Sequence, residues 1–553
     1  MRIEQGFQPA SFVEGHPYTT DPALPGLLKR LFPPTVLQDV EADLIHFGDI
    51  VETRMRVLSQ LVEPPRLVQY NQWGQRVDEL QTSEGWRGLK ALFQEEGIVG
   101  IFYERRNREF SRAHGFAKIL LAIGDSQVVC DIANGHIIRN DKNDTSYIDQ
   151  LSNEHDRWLC PGQQRAGGSD VSLTETLASP VPETASTTPS HYGQKYTLDR
   201  FKWFSSATDS NFALALARTG SQADGSRALS LFLVPLRLPM FREPGAPRPP
   251  STSNNVFVHR LKNKVGTQAL PTAELSLEGA EGYLIGEPGQ GVKLITPVLN
   301  ITRLHSATTS VGSLRRCLAI VTAYSRVRAI KGGAQLLKDT PLHVAELAKV
   351  SVLYRALVHM LFGTISLLGN TECGVAHEEA LRLRLLTPAI KAFAAEKACT
   401  AMEECTAALG GAGYMSENEI GRAVKKSTAL KAFISAALSD LVAVYAVPMP
   451  PLAPRPALFL FCHVVSSLCL LEHAIWAFNA QEETRGTNAD VFIKWVEEHG
   501  LEEVARDVQR ARHSPESRLE DNYRITYGIS QAGQESSELG SPLHRSPFCR
   551  GRL

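Results

Sequence analysis

Apolar residues recur at three- and four-residue intervals through positions 91–113 and again through 112–124, set off from what precedes by Pro and Gly. Spacing of that kind predicts amphipathic helices, and the whole of 1–155 reads as helical. The period then changes. Within 165–285 the apolar positions gather in short β-type runs at 196–206, 211–219, 228–236, 255–261 and 273–284, separated by Ser/Thr/Pro-rich connections such as 178–193 and 242–255. After the turn Gly286-Glu287-Pro288-Gly289-Gln290-Gly291, helical spacing returns in long segments, 292–328, 342–368, 377–409 and 427–445. Helices of such length pack as an antiparallel bundle. A Pro-rich stretch at 448–456 closes the bundle. A helical tail over 457–512 follows, and then a Ser/Gly-rich end that reads as disordered.

The most apolar run, 456–471 (PALFLFCHVVSSLCLL), is short of the ~20 residues a spanning helix needs and carries His463, so it reads as a buried helix with no membrane span. The N-terminus has polar and charged residues where a signal peptide needs an apolar stretch. Composition sharpens this only slightly. Across 553 residues, 58 Lys and Arg against 59 Asp and Glu leave a net charge of −1, which offers no field to concentrate nucleic acid or anionic lipid. The nine cysteines include no C-x-x-C pair and read as reduced thiols of an intracellular protein. The last residues, Gly551-Arg552-Leu553, faintly echo the S-K-L peroxisomal address, so a cytoplasmic or peroxisomal setting is expected.

Generic catalytic signatures are missing: there is no G-x-S-x-G elbow, phosphate-binding loop or H-E-x-x-H pair. The Gly286–Gly291 turn has no βαβ unit around it and reads as a solvated turn rather than a dinucleotide fingerprint. More specific are six strings. They are Arg165-Ala-Gly167-Gly168-Ser169-Asp170-Val171; Tyr196 to Ser205, containing Lys202-Trp203-Phe204-Ser205; Val265-Gly-Thr-Gln-Ala-Leu-Pro-Thr-Ala-Glu274-Leu; Gly286 to Lys293; Asn300-Ile-Thr302-Arg303-Leu-His305; and Leu409-Gly410-Gly411-Ala-Gly413-Tyr414. In order and spacing they resemble acyl-CoA dehydrogenases. Pro64-Pro65-Arg66-Leu67-Val68-Gln69-Tyr70, with Gly74-Gln75-Arg76-Val77-Asp78 and Trp86, resembles the AidB-like branch, in what looks like a fungal version.

The resemblance implies an α+β multi-domain protein with a helical N-terminal domain (1–155), a β-barrel-like middle domain (156–285), a C-terminal helical bundle (286–447) and a helical extension with its tail (448–553). It also implies FAD, an acyl-CoA substrate and a homo-oligomer, dimer or tetramer. Each string has its own physics. A Gly-Gly-Ser loop lets backbone amides approach a polar ligand; as an isolated string it is equally an ordinary turn. The resemblance sets Gly167, Gly168 and Ser169 beside the flavin, with Ser169 also near the substrate's CoA portion. Trp203 and Ser205 combine an aromatic plane with a hydroxyl, which suits stacking on a conjugated ring and bonding its edge, whereas a lone strand Trp is more often core. Gly410 and Gly411 follow a long helix and alone would be caps; the resemblance makes them a contact for the adenosine diphosphate part of FAD on a neighbouring subunit. Arg328 occupies the position of a family Arg that reaches the same pyrophosphate, without the usual Phe-Gly nearby. Arg303 matches a family Arg near the substrate, its bland alternative being a surface charge.

The chemistry implied removes an α-proton from the thioester and needs a carboxylate base. The commonest base position falls on Lys431, about nine residues after Arg422, and the second, just before the active-site Arg, falls on Thr302. Before the Gly-Gly-Ser loop the chain reads Gly162-Gln163-Gln164-Arg165, about three residues shorter than the branch. Three readings follow. The first is an FAD-dependent acyl-CoA dehydrogenase-type oxidoreductase, in fatty-acid or fungal secondary-metabolite (toxin) acyl-chain metabolism. The second is a catalytically impaired homologue that keeps flavin or partner binding. The third, an AidB-like nucleic-acid-associated flavoprotein, is disfavoured by the balanced charge of 501–553. Acyl chain length and electron acceptor depend on pocket depth and partners rather than on these strings.

Overall fold

The helices at the start of the chain form where capping groups and apolar stripes coincide. In the computed structural model the described residues are 12–98, 100–126, 171–182, 193–206, 208–210, 212–238, 252–374, 377–415, 420–421, 423–425, 450–514 and 517–527. Asp21 Oδ1 accepts the amides of Ala23 and Leu24 at 2.9 and 2.8 Å, opening α1 (Leu24–Leu31). Its other oxygen accepts the Tyr354 hydroxyl at 2.6 Å, which ties this end to the bundle. Next come α2 (Pro34–Ile50), a π-helical turn (Val51–Met55) and α3 (Arg56–Gln60). Ser83 caps α4 (Glu84–Glu95), and α5 (Gly100–Glu104) leads to α6 (Ser111–Ile123), which is buried on nearly every side.

The N-terminal region is not wholly helical as its spacing predicts. A hairpin, β1 (Arg66–Tyr70) with β2 (Arg76–Gln81), interrupts it. Asp78 Oδ2 accepts the Val258 amide at 2.9 Å, while Gln69 Nε2 and Arg76 Nη2 donate to the Val258 carbonyl. These residues of the Pro-Pro string therefore dock the hairpin on the middle domain.

That domain comprises β3 (Leu177–Pro180), β4 (Lys195–Ser206), β5 (Phe212–Arg218), β6 (Leu229–Pro235), the short β7 (Arg237–Leu238) and β8 (Thr252–Ser253), β9 (Val256–Leu261) and β10 (Thr272–Ile285). All five β-type runs expected from the sequence are present. The hydrogen-bonded order is β4-β3-β5-β6-β10-β9, and β10 also pairs with β4, so five strands close into a barrel with β9 added along β10. Tyr196, Leu198, Ala215, Phe232, Leu275 and Leu277 belong to its core. Leu214, Leu216, Leu231 and Leu233 form a second cluster against Ile295 and Val298 of the next helix. Residues of both kinds alternate along β5 and β6, which is why these strands read as continuous apolar runs.

The bundle follows: α7 (Gly291–Val327), α8 (Pro341–Glu372) and α9 (His377–Ala408). Thr387 Oγ1 donates to Asn300 Oδ1 at 3.2 Å and Cys317 neighbours Cys405, so α7 and α9 run parallel with α8 returning between them. The expected single helical tail is three helices and a fourth beyond: α10 (Pro454–Asn479), α11 (Arg485–Glu498), α12 (Leu501–Arg512) and α13 (Ser517–Tyr527). Gln481 and Gly500, at φ 54° and 82°, break it. By length and composition alone, α8 and α10 could each cross a membrane; both pack in the helical core, α10 by one face.

The Gly286–Gly291 turn is more than solvated. Gly286 and Gly289 adopt φ of 68° and 78°, and Gly291 is buried at the start of α7. A Cβ on Gly291 would lie 2.6 Å from the Ser230 carbonyl carbon and 2.8 Å from the Leu229 oxygen. That is backbone, which cannot swing aside. Gly291→Ala is expected to cost about 1–3 kcal/mol, read as a lower urea midpoint; an unchanged midpoint would show that the barrel–bundle junction yields.

Candidate active site

Strand β4 ends in a bulge. Ser205 pairs with Ala273 and Lys202 with Leu275, so Trp203 and Phe204 together oppose Glu274. Paired residues share a face; Lys202 and Ser205 therefore turn with Ala273 and Leu275 towards the barrel core. Trp203 and Phe204 turn outward, as does Ser206, which pairs with Thr272. The bulge separates the aromatic plane and the hydroxyl that the sequence combines: Trp203 turns outward and Ser205 inward. Ser205 is fully buried and its hydroxyl has no hydrogen-bond partner among the described residues. The hydroxyl that follows the aromatic pair on the outer face is Ser206, 3.2 Å from Thr272 Oγ1, which also accepts from Lys264 Nζ at 2.7 Å. Phe204, Ser206 and Thr272 escaped the sequence reading, because the bulge arises from pairing with β10 rather than from β4 itself.

Charge concentrates on this outer face. Lys262 Nζ lies 3.3 Å from the Trp203 ring centroid and bonds Glu274, which also takes Arg260 Nε at 2.8 Å. Burial would raise the Glu274 pKa, but the Lys262 and Arg260 hydrogen bonds hold it below the usual carboxylate range. Lys262 covers one indole face. A cavity of about 280 Å³ lined by Phe201, Trp203, His259, Arg260 and Glu274 adjoins it. Behind it, Lys202 Nζ donates to the Leu216 carbonyl at 2.6 Å, and burial pulls its pKa down to about 7.

The helical wall is positioned by the same strands. Ala269 and Leu270, in the loop between β9 and β10, pack on the helical core, and Trp86 Nε1 donates to Asp209 Oδ2 at 3.1 Å just beyond β4. On α7, Arg303 is half-buried and donates to Asn300 Oδ1 at 3.0 Å, the atom that Thr387 also uses. Arg303 is thus oriented by a polar cluster rather than being a solvated surface charge. Thr302 Oγ1 donates to the Leu299 carbonyl at 2.9 Å, within its own helix. His305 is buried 4.8 Å from the Phe116 ring, and burial, with Arg112 adding to it, lowers its pKa to about 3.

Arg328, Gly410 and Gly411 lie elsewhere. Arg328 is exposed just past the end of α7, and the parallel run of α7 and α9 brings it to the same end of the bundle as the Gly410–Tyr414 turn. That end is about 37 Å from Arg303 along the helix axis. Gly410, at φ 60°, caps α9, and Gly413 is required because a Cβ there would meet the Thr406 carbonyl at 2.2 Å. Gly411 has neither reason: it is exposed with open space where a Cβ would stand, beside Tyr414 at 95% exposure. A backbone bare of side chain at an open surface fits close approach by a phosphate-bearing group. Together with the aromatic and hydroxyl face of β4, it makes the described residues compatible with a dinucleotide cofactor. Gly167, Gly168, Ser169, Arg422 and Lys431 lie outside the described residues.

Residues 289–433 match the family profile described as acyl-CoA dehydrogenase, C-terminal domain. The chain is 36% identical over 436 residues to acyl-CoA dehydrogenase family member 11 of Caenorhabditis elegans, covering 74% of this chain and 67% of that protein. It is 26% identical over 383 residues to the putative acyl-CoA dehydrogenase AidB of Escherichia coli, covering 65% of each. The chain thus spans about two thirds of the length of these curated relatives. The solved structure of C. elegans ACDH-11 in complex with C11-CoA superposes with a TM-score of 0.72 at 26% identity, covering 95% of this chain and 99% of that one.

Proposed function

The chain belongs to the acyl-CoA dehydrogenase family, and we propose that it is an FAD-dependent oxidoreductase acting on an acyl-CoA thioester, yielding the 2-enoyl thioester. FAD, when bound, would supply the acceptor for the two electrons leaving with the β-hydrogen. The observation that carries this reading is the outer face at the end of β4, where Trp203 and Phe204 offer aromatic planes and Ser206 and Thr272 offer hydroxyls beside the barrel–bundle junction. Arg303, fixed by Asn300, would meet the substrate, and Gly167, Gly168 and Ser169 would complete the flavin and CoA contacts.

Arg328, Gly410 and Gly411 sit too far from that face to serve a dinucleotide bound there in the same chain. They would instead hold the pyrophosphate of a neighbouring subunit's FAD, so this reading requires a homo-oligomer. The similarity to AidB supports a place near that branch. An acyl-tailoring role in a cytoplasmic or peroxisomal setting remains part of the proposal. A second reading, an impaired homologue that keeps its cofactor, draws on one observation: Thr302 spends its hydroxyl on the Leu299 carbonyl and offers no base.

Purified full-length protein is expected to be yellow and to lose its oxidised-flavin absorbance when medium-chain acyl-CoA is added without oxygen. Protein that is colourless and takes up no FAD would overturn the proposal. Yellow protein that no acyl-CoA bleaches would favour the second reading.

A further inference from the structure

Helix α10 carries two apolar seams. The inner one, Phe459, His463, Ser466, Leu470, His473 and Ala477, is spaced four and three residues in turn and is buried among α8, α9 and α11. The outer one repeats that spacing: Ala457, Phe461, Val464, Leu468, Leu471, Ile475 and Phe478. Four of its members are exposed, while Phe461 also packs against the helical core. Val464 is 45%, Leu468 60%, Ile475 54% and Phe478 71% exposed, with the other three partly exposed. The expectation that this run is simply a buried helix is corrected: half of its circumference faces outward.

Alternating three- and four-residue spacing over three heptads is the pattern by which one helix receives the knobs of another. A flat or irregular partner would not need it. No residue between Arg455 and Glu472 is charged, so two copies of this face can meet without like charges opposing each other. The flanks also weigh against a lipid surface. Interfacial helices are bordered by Lys and Arg; this seam has one such residue, Arg455, which pairs with Glu396, and ends among Glu472, Glu482 and Glu483, of which Glu472 already pairs with Arg30 and Glu482 with Lys29. The seam would bury roughly 600 Å² per copy, or about 1,200 Å² for the pair, at the lower edge of specific interfaces.

We propose that the outer seam of α10 is an interface between two copies of this chain, packed antiparallel about a two-fold axis. This contact is separate from the Gly410–Gly411 end of the bundle, so it stands whether or not the cofactor reading does. The test is the mass of the full chain by size-exclusion chromatography with light scattering, comparing wild type with Leu468→Gln/Ile475→Gln and with the milder Phe478→Gln. The expected result is a twofold drop in mass for the double variant and a concentration-dependent drop for Phe478→Gln, with far-UV circular dichroism and flavin content unchanged. The same mass for wild type and the folded double variant would overturn the proposal, as would a wild type that stays monomeric at micromolar concentration. Sedimentation of wild type, but not of the double variant, with phosphatidylcholine–phosphatidylserine vesicles would assign the face to lipid and overturn it equally.

Discussion

If the proposed flavin chemistry holds, Thr302→Glu is expected to raise the rate at which an acyl-CoA thioester reduces the flavin by about 10²-fold or more, the scale at which a positioned general base contributes. The argument starts from what Thr302 does now. Its hydroxyl is committed to the Leu299 carbonyl of its own helix, and a hydroxyl has no proton affinity near neutral pH comparable to that of a carboxylate. The position itself is prepared: residue 302 is half-buried and immediately precedes Arg303, which is held by Asn300, the residue that Thr387 in turn bonds. A Glu there would stand beside a guanidinium that favours its charged form, so it would be ionised and able to accept a proton at pH 7. Thr302→Gln, of the same length without the charge, separates chemistry from shape and is expected to leave the rate at the wild-type level. Stopped-flow flavin reduction under anaerobic conditions reads both. If Thr302→Glu binds flavin normally and is no faster than Thr302→Gln, then either a base is supplied elsewhere in the chain or α-proton removal is not the reaction.

What the sequence exposed and what it hid divide along physical lines. Five of the strands, β4, β5, β6, β9 and β10, came out to within about a residue, β5 and β6 because they bury both faces and read as unbroken apolar runs between polar turns; β3 (Leu177–Pro180) was missed because its end lies in the Ser/Thr/Pro-rich stretch read as a loop. The three bundle helices among the described residues were equally plain, each long and free of Gly and Pro clusters; the expected helix over 427–445 lies outside the described residues. The β1–β2 hairpin was missed because Arg66–Tyr70 and Arg76–Gln81 are half-exposed and mixed in polarity. Its signal was the four-residue turn ending in Gly74 at φ 73°. The bulge at Trp203–Phe204 exists only in the pairing of β4 with β10, so the resemblance, which joins Ser205 to the indole, overlooked Ser206. The two seams of α10 were hidden for the opposite reason. A helix apolar on both faces has no amphipathic signature, and hydropathy cannot distinguish a face that meets its own bundle from one that waits for a partner.

The inner seam of α10 makes the helical half sensitive to acid, and unfolding is expected between about pH 6 and pH 4. His463 and His473 are buried, their ring centroids lying 5.2 Å from Phe393 and 4.4 Å from His359 respectively. Burial, reinforced for His463 by Lys397 and His499 and for His473 by Arg30 and Arg355, lowers each pKa to about 4. His359 is pushed down in the same direction by burial, then by His473, Arg30 and Arg355. As pH falls below 6.5, an unfolded chain protonates these rings while the folded chain holds them neutral. Their stabilising effect is therefore complete above pH 6.5 and drains away as pH falls towards 4. Each of the two rings can remove up to about 3 kcal/mol, and together they approach the 5–15 kcal/mol that holds a typical domain folded. Carboxylates act in another window: Asp43, lowered below its ordinary value by His114 and Lys118 against the opposing effect of burial, gives up its contribution only below about pH 4. Helical ellipticity and the fluorescence of Trp495, which stacks on His463 at 5.0 Å, should be lost together over the histidine window. His463→Phe is expected to shift the transition to lower pH by removing one of these contributions without opening a cavity. A urea midpoint that stays flat from pH 7 to pH 5 would show that these imidazoles are hydrated in solution and carry no such penalty.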